Sequence, residues 1–267
     1  MVDTGQQRDT IGGRVALIMA ASKGLGRGCA EALGSAGYRL MLCARNQSGL
    51  DDVVASLRAR NVEAAGVAAD VSQISELERV FKAVDQTYGH LHVLVANAGG
   101  PPPGTFLRVT EEQWVTAFNL TLMSAVRAMQ MAIPRVQATG NGRLIVIGSS
   151  SVKQPIPGLV LSNAFRPALL GVVKTLSQEL APEGITVNMV SPGRIDTDRV
   201  RTLDENRARE QSVSYEQFRE QYEQTIPARR YGAPDELGSL VAYLASQNAG
   251  YITGQSILVD GGMVSAL

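Results

Sequence analysis

The stretch MAASKGLGRG, residues 19–28, carries residue types suited to holding phosphates. Gly24 and Gly26 let a chain turn tightly and bring its backbone against a pyrophosphate, which would rest on the N-terminus of the helix that follows. The spacing is not the common G-x-G-x-x-G, and a tight strand-to-helix turn needs glycine in any case. A second cue lies about twenty residues on, where an NAD enzyme places an acid on the ribose 2′-hydroxyl. Here the chain reads Cys43, Ala44, Arg45, with no acid. The planar fork of Arg45 suits a 2′-phosphate, and Lys23 directs a second cation to the same region. Either cation alone is an ordinary surface charge; together with the missing acid they favour NADP(H).

The remaining reactive side chains point to less. His90 and His92, two apart and without acids or thiols nearby, make a poor metal site. Cys29 and Cys43 are too few for a disulfide framework or a metal cluster and sit in apolar segments, so buried structural thiols are expected. The 25 basic and 25 acidic residues balance, which gives no reason to expect nucleic acid as a partner. No run of about 18 uncharged apolar residues suggests a membrane span. The first residues, MVDTGQQRDTIGG, lack an apolar signal core. A cytoplasmic protein acting on a small molecule is the expectation.

These residues need a scaffold, and the hydropathy pattern supplies one. Apolar runs at 14–20, 38–44, 62–70, 91–99, 142–150, 184–193 and 255–262 read as strands. Amphipathic stretches at 26–37, 50–60 and 74–89 read as helices, and a long helical pattern separates the fourth and fifth strands. Buried strands alternating with helices predict a doubly wound α/β fold: a parallel sheet covered on both faces. The loop GGPPPG at 99–104 follows a strand and so belongs to the rim where ligands bind. Residues 194–227, charged and poor in aliphatic side chains, read as a mobile helical flap.

The motifs together resemble the short-chain dehydrogenase/reductase family across residues 14–262. The family's glycine turn is T-G-x-x-x-G-x-G; here its first two residues are Met19 and Ala20, and because alanine prefers negative φ the turn is expected to differ slightly. ANAGG matches the family's N-N-A-G through Asn97, Ala98 and Gly99. FNLT places Asn119 at the helix asparagine, and SPGRIDT matches P-G-x-x-x-T through Pro192, Gly193 and Thr197. The resemblance implies a Rossmann-like, seven-stranded sheet of order 3-2-1-4-5-6-7. It implies one NADP-binding domain over 13–267 after a tail at 1–12. It adds Asp70 and Val71 as an adenine-contacting pair, and Ser22 and Leu25 with the turn as cofactor contacts. It also implies a homo-oligomer, tetramer or dimer, through segments 111–137, 161–180 and 255–260.

The family's reaction depends on a serine, a tyrosine, a lysine and the helix asparagine. Ser149 stands at the serine and Asn119 at the asparagine. Ser162 and Arg166 stand at the tyrosine and lysine, in the stretch LVLSNAFRPALLG. A serine hydroxyl is a far weaker acid than a phenol, although it still donates a hydrogen bond to a substrate oxygen. Arg166 stays charged and presents a planar fork. It can hold ribose hydroxyls or stabilise an alkoxide, but it cannot shuttle a proton. Three readings follow: a reductase whose proton comes from water, a reductase of an iminium or activated alkene needing no such acid, or a nucleotide-binding scaffold or sensor. Lys153 and the flap tyrosines Tyr215 and Tyr222 are weaker candidates for an acid, and Trp114 reads as a packing residue.

Overall fold

The computed structural model describes residues 13–266, so the tail expected at 1–12 lies outside the described residues. Seven strands form one sheet: β1 (Val15–Met19), β2 (Arg39–Ala44), β3 (Ala64–Ala68), β4 (Val93–Ala96), β5 (Arg143–Ile147), β6 (Thr186–Pro192) and β7 (Ser256–Val259). Their order is β3-β2-β1-β4-β5-β6-β7, and every neighbouring pair is parallel. This is the doubly wound order that the resemblance implies. The helices are α1 (Gly24–Ser35), α2 (Gln47–Arg58), α3 (Ile74–Tyr88), α4 (Glu111–Ala117), α5 (Ser124–Gln137), α6 (Val160–Leu180), α7 (Asp198–Glu210), α8 (Tyr215–Thr225) and α9 (Pro234–Ala245). Among the described residues no helix is long and apolar enough to cross a membrane.

The strands are apolar throughout because both sheet faces are covered. Val15, Leu17 and Met19 pack with α3, α5 and α6, while Ala16 and Ile18 pack with α1, α2 and α9. Cys29 and Cys43 are fully buried, and burial pushes both thiols up to about 12, so both are inert packing groups. Helix α9 lies where the sequence suggests no element to us. It runs against α1 at backbone distance: a Cβ on Gly238 would come within 2.4 Å of the Gly28 carbonyl oxygen. The glycines of α1 therefore serve a helix crossing as well as the turn.

Other departures concern boundaries. The fourth strand keeps only Val93–Ala96, which releases Asn97–Gly99 to the rim. The long helical pattern is broken by a π-helical segment, Phe118–Met123, between α4 and α5. The charged stretch after β6 folds into α7 and α8, joined by a short turn.

The glycine turn corrects one expectation. Ala20 does not hold negative φ: it adopts φ +51°, the left-handed conformation open to glycine. The same turn brings the Ala20 carbonyl so close to Gly26 that a Cβ there would lie 2.2 Å from it, which only glycine allows. An alanine in this region carries about 1–2 kcal/mol of strain. Ala20→Gly should therefore raise unfolding free energy by about 1 kcal/mol, after allowance for the freer unfolded chain. Urea denaturation of the two proteins checks this, and an unchanged or lower midpoint would contradict it.

Candidate active site

A parallel sheet places all its strand C-termini on one rim, and a cleft of about 770 Å³ opens there. Its walls come from the segments after β1, β2, β3, β4, β5 and β6, closed over by α7 and Tyr222 of α8. All the expected cofactor residues except Gly26 line it: Ala20, Ser22, Lys23, Gly24, Leu25, Arg45, Asp70, Val71, Asn97, Ala98, Gly99, Pro192, Gly193 and Thr197. Gly26 stands behind the turn, pressed against the Ala20 carbonyl.

At the glycine-turn end, α1 begins without a side-chain cap and without an acid in its first turn. Its first N–H groups are thus available to an anion. Arg45 is exposed and makes no hydrogen bond or ion pair among the described residues. Lys23 is engaged: it pairs with Asp198 at 2.8 Å, an exposed contact that holds the Asp198 carboxyl below the usual range. Such a pair contributes little and exchanges readily. Asp70 uses Oδ1 to accept from the Ser72 backbone at 2.9 Å, so a loop-stabilising bond coexists with its place in the cleft. Asn97 donates to the Met19 carbonyl at 3.2 Å and ties the end of β4 to that of β1. Thr197 caps α7 by accepting from Val200 N at 3.4 Å.

Farther along the rim, Ser149, Ser162 and Arg166 meet. Ser149 caps the 3₁₀ turn Ser150–Val152, its Oγ accepting from Ser151 N at 3.1 Å. The Ser162 hydroxyl shares a 3.2 Å hydrogen bond with that of Ser151, a partner the sequence does not single out. Both hydroxyls are buried. Arg166 is 7% exposed, and Nη1 donates to the Ile147 carbonyl at 2.5 Å. Among the described residues its Nε has no hydrogen-bond partner and no carboxylate pairs with it. Burial lowers its pKa to about 10, helped by the positive charge of Arg199. It remains a cation at neutral pH.

Asn119 does not join this group. It lies in the π-helical segment, donating to the Val115 carbonyl at 3.2 Å and accepting from Arg127 at 3.3 Å. Leu120 lines the cleft beside it. Of the weaker candidates, Tyr222 lines the cleft, with the Arg194 guanidinium 4.1 Å above its ring centre. Arg194 is held in turn by Asp204 at 2.7 Å, and burial raises the Asp204 carboxyl against that attraction. Tyr215 accepts from Arg219 outside the cleft, and Lys153 is exposed outside it. His92 Nδ1 accepts from Val15 N, and His90 reaches Gly13, both at the opposite end of the sheet. Trp114 packs edge-on against Phe165, 5.6 Å between ring centres. Arg199, in the first turn of α7, lines the cleft and was not singled out in the sequence. Only the fold reveals that this flap arginine faces inward.

Residues 19–264 match the family described as Enoyl-(Acyl carrier protein) reductase. The chain is 32% identical to NADPH-dependent reductase BacG of Bacillus subtilis (strain 168), over 95% of this chain and 99% of that protein. It is 31% identical to Dehydrogenase/reductase SDR family member 4 of Homo sapiens, over 98% of this chain and 91% of the relative. The solved structure of YwfH, an NADPH-dependent reductase involved in bacilysin biosynthesis, superposes with a TM-score of 0.91 at 30% identity, covering 95% and 99% of the two chains. A variant of actinorhodin polyketide ketoreductase with NADPH superposes with a TM-score of 0.90 at 33% identity, covering 94% and 97%. With the glycine turn, the rim asparagine, the sheet order and these matches in agreement, the chain belongs to the short-chain dehydrogenase/reductase family.

Proposed function

We propose that this protein is an NADPH-dependent oxidoreductase that reduces a small-molecule carbonyl, iminium or activated alkene without the family's tyrosine–lysine relay. The observation that carries the proposal is Arg166: a buried cation with no carboxylate, on the same cleft as an uncapped helix N-terminus and the free Arg45. NADPH, when bound, supplies the hydride. The α1 turn and Gly24 would receive the pyrophosphate, and Arg45 the 2′-phosphate. An incoming 2′-phosphate competes with Asp198 for Lys23, which is exposed enough to change partners. Asp70 and Val71 would border the adenine. Two relatives described as NADPH-dependent or NADPH-bound support the same cofactor here.

The nicotinamide end follows from the serines. Ser149 and Ser162 would donate hydrogen bonds to the substrate oxygen or nitrogen, while Arg166 holds the ribose hydroxyls and stabilises developing negative charge. Ser162 is too weak an acid to give up a proton, and Arg166 is charged at neutral pH and assigned to electrostatic stabilisation, so in this reading water supplies the proton or the substrate needs none. Asn119 keeps a structural part in the π-helical segment. We also place the protein in the cytoplasm as a homo-oligomer. Support for the oligomer comes from Val115 and Phe118, 55% and 39% exposed on the α4 side of the long helices.

The absence of the usual acid also favours a second reading, a nucleotide-binding scaffold or sensor. NADPH incubated with panels of ketones, activated alkenes and cyclic imines separates the two. A reductase consumes the cofactor with at least one class; a scaffold binds it and consumes none.

Cofactor choice is tested by calorimetric titration. The wild type should bind NADPH more tightly than NADH, and Arg45→Asp should weaken NADPH by about tenfold or more, since a charge-assisted hydrogen bond contributes about 1.5–3 kcal/mol. Equal or better binding of NADH by the wild type would overturn the assignment. The active residues are tested by turnover. Ser162→Ala should cost at most about tenfold, the worth of a neutral hydrogen bond, with NADPH affinity kept. Arg166→Ala should lose both affinity and turnover. The double change Ser162→Tyr with Arg166→Lys should gain ketone reduction if the native reaction is limited by a poor acid. Full activity and full NADPH affinity in Arg166→Ala would show that the active site lies elsewhere.

A further inference from the structure

The cleft holds a second guanidinium that has no counter-ion among the described residues. Arg199 is half-buried, and its one hydrogen bond among the described residues runs from Nη2 to the Pro101 carbonyl at 2.5 Å. The acids around it are engaged elsewhere. Asp198 pairs with Lys23, Asp204 with Arg194 and Tyr231, and Glu205 with Arg201. Gly100 forms the seat of this side chain: a Cβ there would meet Arg199 Nε at 3.0 Å and Nη2 at 3.3 Å. Pro101 and Gly100 of the proline-rich loop thus hold the guanidinium by hydrogen bond and by close approach.

Arg199 also has neighbours of its own kind. Arg199, Leu203 and Arg207 recur every four residues along the face of α7 that lines the cleft. Among the described residues the Arg207 side chain donates to the Pro157 carbonyl alone, at 3.2 Å. Burial lowers the pKa of Arg199, and the charge of Arg199 in turn lowers that of Arg166. Two cations facing one cleft repel until an anion enters between them. Apolar side chains line the same cleft, among them Pro102, Ile156, Leu159 and Met263. An arginine fork offers parallel N–H groups that match a planar carboxylate.

We propose that Arg199, seated on Gly100, anchors a carboxylate of the substrate, so that the natural substrate is an anionic molecule with an apolar body. This rests on the reductase reading for the chemistry that follows, and it places the reducible group toward Ser149 and Ser162. The test uses 3-phenylpropanoate and its neutral counterpart 3-phenylpropanamide, titrated calorimetrically at millimolar concentration with and without NADPH. The acid should bind about tenfold or more tightly than the amide, as loss of a charge-assisted fork implies. Arg199→Gln should abolish the difference, and Arg199→Lys should keep part of it. Gly100→Ala, whose added methyl displaces the guanidinium without touching its charge, should reduce the difference as well.

Equal binding of acid and amide by the wild type, or no binding of the acid, would overturn the proposal. So would a difference that persists undiminished in Arg199→Gln. Tighter binding of phenyl phosphate than of the acid, lost in Arg199→Gln, would overturn the choice of carboxylate. Failure of the cofactor reading registers separately, as absent NADPH binding, while the acid–amide comparison without NADPH still reports on Arg199.

Discussion

The active end of this protein is organised around one costly arrangement: the Arg166 guanidinium, buried against the Ile147 carbonyl and facing no carboxylate. Taking an ion out of water costs several kcal/mol unless partners replace the lost solvation. Here one neutral carbonyl replaces part of it, and Nε is left unpaired. A position kept only for stability would favour an apolar side chain or a paired one. The fold instead holds a fixed positive charge beside two serine hydroxyls, at the edge of a cleft large enough for a dinucleotide. The guanidinium is charged at neutral pH, so it can attract an anion and stabilise negative charge, and the site holds no phenol at the position of Ser162.

The same logic extends along the cleft. Arg45 at one end, Lys23 beside the glycine turn, Arg166 in the middle and Arg199 on α7 make a cleft rich in positive charge, although the chain as a whole is neutral. The sheet makes this possible, because six strand ends deliver their side chains to one rim. Helix α7 completes it by turning Arg199 inward while its acids pair elsewhere. Helices α1 and α9 cross at backbone contact, where Gly28 and Gly238 leave no space between them. Ala20, in the turn before α1, adopts a left-handed conformation.

Much of this was legible in the sequence. The alternation of buried strands and helices, the rim loops and the residues of the glycine turn follow from apolar periodicity and from motif spacing, because those patterns are dictated by burial and by backbone geometry; the strand order comes from the family resemblance alone. Ser149, Ser162 and Arg166 stand at the family's serine, tyrosine and lysine positions, and the fold brings all three to one cleft. What was not legible depends on distance rather than on sequence. Helix α9 was missed because its packing against α1 shows only in the crossing of two glycines. Propensity places Ala20 at negative φ because it speaks for an isolated residue, whereas in the folded turn Ala20 takes φ +51°. Asn119 carries the right name in the right motif, yet its side chain turns to Val115 and Arg127. Arg199 sits among charged neighbours on a flap, and only the tertiary structure distinguishes the cleft-lining arginines Arg199 and Arg207 from Arg201 and Arg209.

The central claim is that charge and hydrogen bonding, without a titrating side chain, serve the reaction at this site. The pH dependence of NADPH oxidation at saturating substrate addresses it directly, because a protein acid or base that takes part leaves its pKa in the profile. With Arg166 protonated until about pH 10 and serines that do not titrate, the rate should stay level between about pH 6 and pH 9. It should fall only as Arg166 loses its proton above that range. A limb or bell within it, shifted or lost on replacing one side chain of the cleft, would show a proton donor in the protein and contradict the account.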